Sequence, residues 1–155
     1  MDIIKIYRGI NYKLDDLTNS VINHYRQVPR LPSNTDEELH KILDNWFQGN
    51  FQINARSECI FCTPDKGLAS QFKLLDGEVY ELVIPEGEPY DIIYSNLVID
   101  LFKDTTQFLK PFNENEVHNF LNSKNYIITN DVNTIPKEFK GELMLNIENY
   151  ILRRI

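Results

Sequence analysis

Cysteine, histidine, tryptophan and long apolar runs are all scarce in this sequence, and each scarcity closes a route. There are two cysteines, Cys59 and Cys62, and three histidines, His24, His40 and His118. The C-x-x-C spacing invites a metal or redox reading. No second pair completes a zinc site, and none of the histidines is placed to help. The segment around the cysteines reads as a strand, in which positions three apart face opposite sides of the sheet. Two buried or half-buried free thiols are expected instead, which fits a reducing compartment. No stretch approaches the length needed to span a bilayer. Met1-Asp2-Ile3-Ile4-Lys5 has a short apolar run and no basic start, so it does not read as a signal peptide. The expectation is a cytoplasmic protein that does not enter a membrane.

Positive charge is also in short supply. The 16 Lys and Arg against 23 Asp and Glu leave a net charge of -7. That balance argues against direct nucleic-acid binding by phosphate neutralisation. It leaves room for a protein that occupies a basic surface on a partner. Internal repeats, low-complexity tracts and linkers are missing, so residues 1–155 read as one domain.

What the chain does have is a hydrophobic content of 42% with 12% aromatics, enough for a packed core rather than global disorder. A first strand over Ile3, Ile4, Ile6 and Tyr7 is expected to stop at Gly9. Asp15-Asp16 is read as opening a helix with Leu17, Val21, Ile22 and Tyr25 at helical spacing. Val28 to Pro32 forms an extended connector. Thr35-Asp36-Glu37-Glu38 has the form of a capping box ahead of a helix bearing Leu39, Ile42, Leu43, Trp46 and Phe47 and ending around Gly49. Trp46, the only tryptophan, is expected in the core.

Further strands are expected over Ser57 to Thr63, Glu78 to Ile84, Tyr90 to Tyr94 and Tyr126 to Thr129. A final pair, Glu142 to Ile147 and Tyr150 to Arg153, is joined tightly through Glu148-Asn149. Short helices are expected over Asp65 to Phe72, after a Ser95 cap, and over Asn113 to Asn122. Early helices followed by mainly antiparallel strands imply an α+β domain.

Three segments stand out for chemistry: Tyr7-Arg8-Gly9, Phe61-Cys62-Thr63 with the Pro64-to-Phe72 segment after it, and Gly141-Glu142-Leu143-Met144-Leu145. Arg8 sits where a strand gives way to glycine; its fork suits phosphate, although a solvated arginine at a strand end has the same local pattern. Thr63 offers a hydroxyl at a strand end, and equally an N-cap ahead of Pro64. Glu142 opens an apolar strand, a position that surface glutamates also occupy. In order and spacing the three segments resemble the conserved regions of the mono-ADP-ribosyltransferase superfamily. Those regions are an aromatic-Arg-Gly strand end, a Ser-x-Ser or Ser-x-Thr strand end before a helix carrying Ala and an aromatic, and a late Glu opening an apolar strand. The likeness is closest to small phage-encoded ADP-ribosyltransferase-like proteins.

The resemblance implies a split, mainly antiparallel β-sandwich with flanking helices around a cleft for NAD, which is the substrate. It implies that Arg8 and Gly9, Thr63, and Phe72 on the following helix contact NAD, and that Arg8, Thr63 and Glu142 serve catalysis. Glu142 would bond the nicotinamide ribose 2'-hydroxyl and stabilise the cation formed when the glycosidic bond breaks. Two departures stand against the family pattern. Phe61 replaces the first hydroxyl of the strand motif. Lys140 stands where arginine-modifying members carry Glu or Gln, so the macromolecular acceptor is expected not to be arginine, or transferase activity to be weak or lost. Arg56 and Arg30 are further candidates for phosphate or a partner, and Tyr94-Ser95 with Asp100 for the cleft edge. The alternative is a catalytically degenerate relative, phage-encoded and acting in the host cytoplasm, that binds and inhibits a host protein or sequesters a nucleotide.

Overall fold

Short segments in which burial alternates or a β-branched run is covered on both sides build two sheets, and longer amphipathic segments cover them. The computed structural model describes residues 4–11, 18–32, 35–73 and 77–155. Among these there are eight strands: β1 (Ile6–Ile10), β2 (Thr18–Ile22), β3 (Ile60–Cys62), β4 (Glu78–Val83), β5 (Tyr90–Tyr94), β6 (Ile127–Thr129), β7 (Leu143–Ile147) and β8 (Asn149–Arg154). They form two four-stranded sheets with orders β1-β4-β8-β2 and β3-β7-β5-β6. Every pairing within both sheets is antiparallel. The described helices are α1 (Glu37–Phe51), α2 (Ala55–Glu58), α3 (Lys66–Gln71), α4 (Leu101–Thr105) and α5 (Glu114–Asn122). The expected α+β class, mainly antiparallel, is what the chain adopts.

The two sheets share one core: Ile6 of β1, Tyr80 and Leu82 of β4 and Leu152 of β8 pack with Ile60, Ile92, Leu143 and Leu145 of the second sheet. The opposite face of the second sheet, through Ile93 and Met144, packs under Leu39, Leu43, Trp46 and Phe47 of α1 and Val117 and Leu121 of α5. Successive strand residues therefore serve different cores, as the pleat requires. Trp46 lies in this second core as expected, its Nε1 donating to Asn122 Oδ1 at 2.9 Å. Cys59 belongs to the second core and Cys62 to the first, both free thiols. Burial pushes the Cys62 thiol up to about 12.

Several expectations are corrected. Most of the helix expected through Leu17 to Tyr25 is absent over its described part: Thr18–Ile22 is an edge strand paired with β8, Val21 opposite Tyr150, and only the helical turn His24–Arg26 follows it. β-Branched Val21 and Ile22 suit the pleat, and tertiary pairing overrides the helical spacing. Asp15 and Asp16, like Ile3, lie outside the described residues. β1 runs through Gly9 to Ile10 instead of stopping there. The expected strand from Ser57 is a helical turn as far as Glu58, and the strand itself covers Ile60–Cys62.

Caps shift as well. Asp36, not Thr35, caps α1, accepting from the Glu38 amide at 2.8 Å, and the helix continues to Phe51 with Gln52 in the left-handed region. Asp100, not Ser95, caps α4. Asn113 caps α5 as expected. The final strands are joined by Glu148 alone, yet they do not pair: β7 lies in one sheet and β8 in the other. That crossover links the two sheets directly.

Candidate functional site

A cleft of about 540 Å³ opens beside the shared edge of β1 and β3, where Tyr7 and Thr63 exchange backbone hydrogen bonds of 2.8 and 3.0 Å. Arg8 and Gly9, Arg30, Arg56, Phe61, Phe72 and Glu142 line it together. Segments from the beginning, middle and end of the chain are thus brought to one place.

Arg8 is half-buried on β1, opposite Tyr80 in the register. Its Nη1 donates to the Phe61 carbonyl at 3.0 Å, and its Nε is buried with no hydrogen-bond partner. Gly9 is needed for packing: a Cβ there would overlap the Ala69 carbonyl oxygen, so only glycine lets α3 lie this close to β1. Phe72, the residue that ends α3, reaches the cleft.

Thr63 does not reach it. The residue is fully buried and absent from the cleft wall, its hydroxyl accepting from the Asp65 amide at 3.1 Å. Nor is Thr63 the cap of the next helix, because Asp65 accepts from the Gly67 amide and caps α3 itself. The Thr63 hydroxyl serves the turn between strand and helix.

Glu142 is 5% exposed at the cleft floor, just before β7, with its backbone amide donating to the Ile99 carbonyl at 2.8 Å. Arg56 Nη1 donates to Glu142 Oε1 at 2.7 Å and to Met144 Sδ at 3.4 Å. Both side chains of this ion pair are almost wholly buried. Burial pushes the Glu142 carboxyl above the usual carboxylate range; the charge and hydrogen bond of Arg56 oppose that, and Asp100 adds to it. Lys140 is exposed to solvent, so the cation paired with Glu142 comes from α2 and not from two residues upstream.

Arg56 is itself held from several sides. Asp44 of α1 accepts from the Arg56 amide at 2.9 Å and from the Ser57 amide and hydroxyl, replacing the side-chain cap that Asn54 does not provide. The Arg56 guanidinium lies 4.4 Å from the centroid of the Phe61 ring. Arg30 is clamped between Tyr25 and Phe61 at 4.0 and 4.1 Å, and donates to the Arg56 and Cys59 carbonyls. Burial lowers the Arg30 pKa, and the charges of Arg8 and Arg56 add to the effect.

The Tyr25–Arg30–Phe61 stack, the Asp44 anchor and His40 at the cleft wall were not singled out by sequence reasoning. An aspartate on the buried side of an amphipathic helix was the available signal for Asp44. Of the expected cleft edge, Asp100 lines the cleft, whereas Ser95 is buried in a turn and accepts from the Leu97 amide.

Three guanidiniums converge on a cleft whose lining carboxylates are Glu142 and Asp100, with aromatic rings alongside. Among the described residues, neither Arg8 nor Arg30 is paired to a carboxylate. Such a wall favours an anionic ligand that carries a flat ring. No group of His, Cys, Asp and Glu among the described residues is arranged to hold a metal ion, and no described helix is long and apolar enough to cross a membrane. Comparison with family models, curated proteins and solved structures finds no match. The fold and site thus define an α+β protein with an arginine-lined cleft closed below by a buried Arg–Glu pair.

Proposed function

We propose that this chain is an ADP-ribosyltransferase-like protein that binds NAD in the arginine-lined cleft and transfers ADP-ribose to a macromolecular acceptor other than arginine. The supporting observation is that Arg8 and Glu142, from opposite ends of the chain, line one cleft. A volume of about 540 Å³ lies within the usual range for small-molecule sites, roughly 300–1,000 Å³. Among the described residues the Arg8 guanidinium has no carboxylate partner, which suits a phosphate, and Phe72 lines the same cleft beside it.

In the proposed reaction the bond between the ribose C1' and the nicotinamide nitrogen breaks, and nicotinamide leaves with the electron pair as a neutral molecule. The carboxylate of Glu142 accepts from the ribose 2'-hydroxyl and stabilises positive charge at C1'. The acceptor nucleophile then bonds to C1' and releases its proton to solvent or a base. Exposed Lys140 provides no hydrogen-bond acceptor for a guanidinium beside the carboxylate, in keeping with an acceptor other than arginine.

A second reading has its own support. Glu142 is already engaged by Arg56, and the Thr63 hydroxyl faces away from the cleft. On this reading the chain holds a nucleotide without turning it over, or binds a host protein. Nicotinamide release from NAD, with Glu142→Gln alongside, separates the two. Turnover that falls at least about a hundredfold in the variant supports the enzyme; binding without turnover supports sequestration; neither sends the search to a protein partner.

A further inference from the structure

Of the described cations at the cleft, Arg56 is the one bonded to the Glu142 carboxylate. Its backbone is tied to Asp44 across helices, its guanidinium rests on Phe61, and its Nη1 is spent on Glu142 Oε1 and Met144 Sδ. A guanidinium so committed, with its side chain 8% exposed, is poorly placed to reach out for a phosphate. The sequence expectation for Arg56, cofactor binding, gives way to a different role. Phe61, standing where the resembled family has a hydroxyl, carries no hydrogen-bond donor. Arg56 brings a donor to the carboxylate from another element, over the face of that same phenyl ring.

We propose that Arg56 is the positioning residue of Glu142, fixing the direction of its carboxylate at the cleft floor. The role rests on the reading of the cleft as an NAD site, and deepens it: a buried arginine from another element sets the direction of the carboxylate. The groups that face Glu142 are Arg56 and Arg30 as cations and Asp100 as an anion, with Tyr126 and Cys62 as titratable neighbours. Burial raises the Tyr126 phenol and the Cys62 thiol, so both are neutral near pH 7. Arg56 is the only one of these groups shown bonded to the carboxylate. Its removal leaves burial and Asp100 acting together against ionisation.

The test compares wild type with Arg56→Lys, Arg56→Gln and Arg56→Met in two assays. In the first, the Glu142 carboxyl carbon is followed by 13C NMR as pH is varied. The Met and Gln variants are expected to titrate at least about one pH unit above wild type, with the Lys variant between. Two neutral variants are included so that a folding failure of one leaves the other. Titration unchanged in a folded neutral variant overturns the proposal, and this assay needs no turnover. In the second assay, on nicotinamide release, kcat is expected to fall at least about tenfold in the neutral variants while KM for NAD changes less than about threefold. The acid limb of the profile is expected to move upward, with partial recovery in Arg56→Lys. A raised KM at unchanged kcat overturns the proposal in favour of phosphate binding. An upward carboxyl titration in a protein that never consumes NAD retains the positioning role and sinks only the NAD reading.

Discussion

Arg56 and Glu142 lie far apart in sequence and 2.7 Å apart in space, both almost wholly out of water. Breaking a buried pair from one side leaves the other charge desolvated and uncompensated. Glu142→Ala should therefore cost about 3–5 kcal/mol, read as a lowered urea midpoint at unchanged slope; a loss under about 1 kcal/mol would mean that Arg56 finds another partner or water. His40 gives the clearest pH signature. Its Nε2 is buried without a partner, and burial holds the imidazole below its ordinary pKa, with Arg56 and Arg30 adding and Asp44 opposing. The folded state then binds fewer protons than the unfolded one. The contribution is complete above the unfolded value of about 6.5 and is lost as pH falls through the folded value. Wild type should lose stability between about pH 7 and 5.5 relative to His40→Asn, by urea titration at each pH. Parallel curves would place the titration elsewhere. At this scale Arg8 and Glu142 were readable, because their neighbours in sequence carried the pattern. The Arg30 clamp was not, since it is assembled from a connector, a helical turn and a strand that meet only in the fold.

Elements formed where one-dimensional signals and tertiary demand agreed. α1 has acidic residues in its first turn and four buried apolar side chains on one face, so its course was plain from sequence. Its first residue was not, because Thr35 and Asp36 are both good caps and the tertiary entry of the chain decides between them. Asp36→Ala should cost about 1 kcal/mol, and Asp36→Asn and Thr35→Ala only a few tenths, by thermal or urea unfolding. The Asn variant also separates the cap from the Lys110–Asp36 ion pair at 2.7 Å. A Thr35→Ala loss as large as that of Asp36→Ala would return the cap to Thr35. β2 was misread because Leu17, Val21 and Tyr25 repeat every four residues while side-chain exposure alternates every two. Residues Asn19 to Ile22 alternate between half-buried and exposed, which only pairing with β8 explains. The strand expected from Ser57 starts two residues inside α2, whose helical turn depends on Asp44, a residue from another helix.

Across the whole molecule, the single-residue join at Glu148 carries the chain from β7, the interior strand that Glu142 precedes, to the sheet that holds Arg8's neighbour β4. The two sheets share a core, and the backbone bonds between Tyr7 and Thr63 tie β1 to the end of β3. Arg8 and Glu142 thereby meet at one cleft although neither sheet contains both of their strands. The antiparallel α+β character was legible from strand runs and turns, whereas the split of the last two strands between sheets was not. Nothing local distinguishes a one-residue crossover from a tight hairpin.

The arginine-lined cleft is expected to take NAD. Titration calorimetry of the purified chain with NAD, with Arg8→Gln alongside, tests that most directly. A single site is expected in wild type, weakened at least about tenfold, or about 1.4 kcal/mol, in the variant. No heat in wild type up to millimolar NAD, or equal affinity in a folded Arg8→Gln protein, would contradict it.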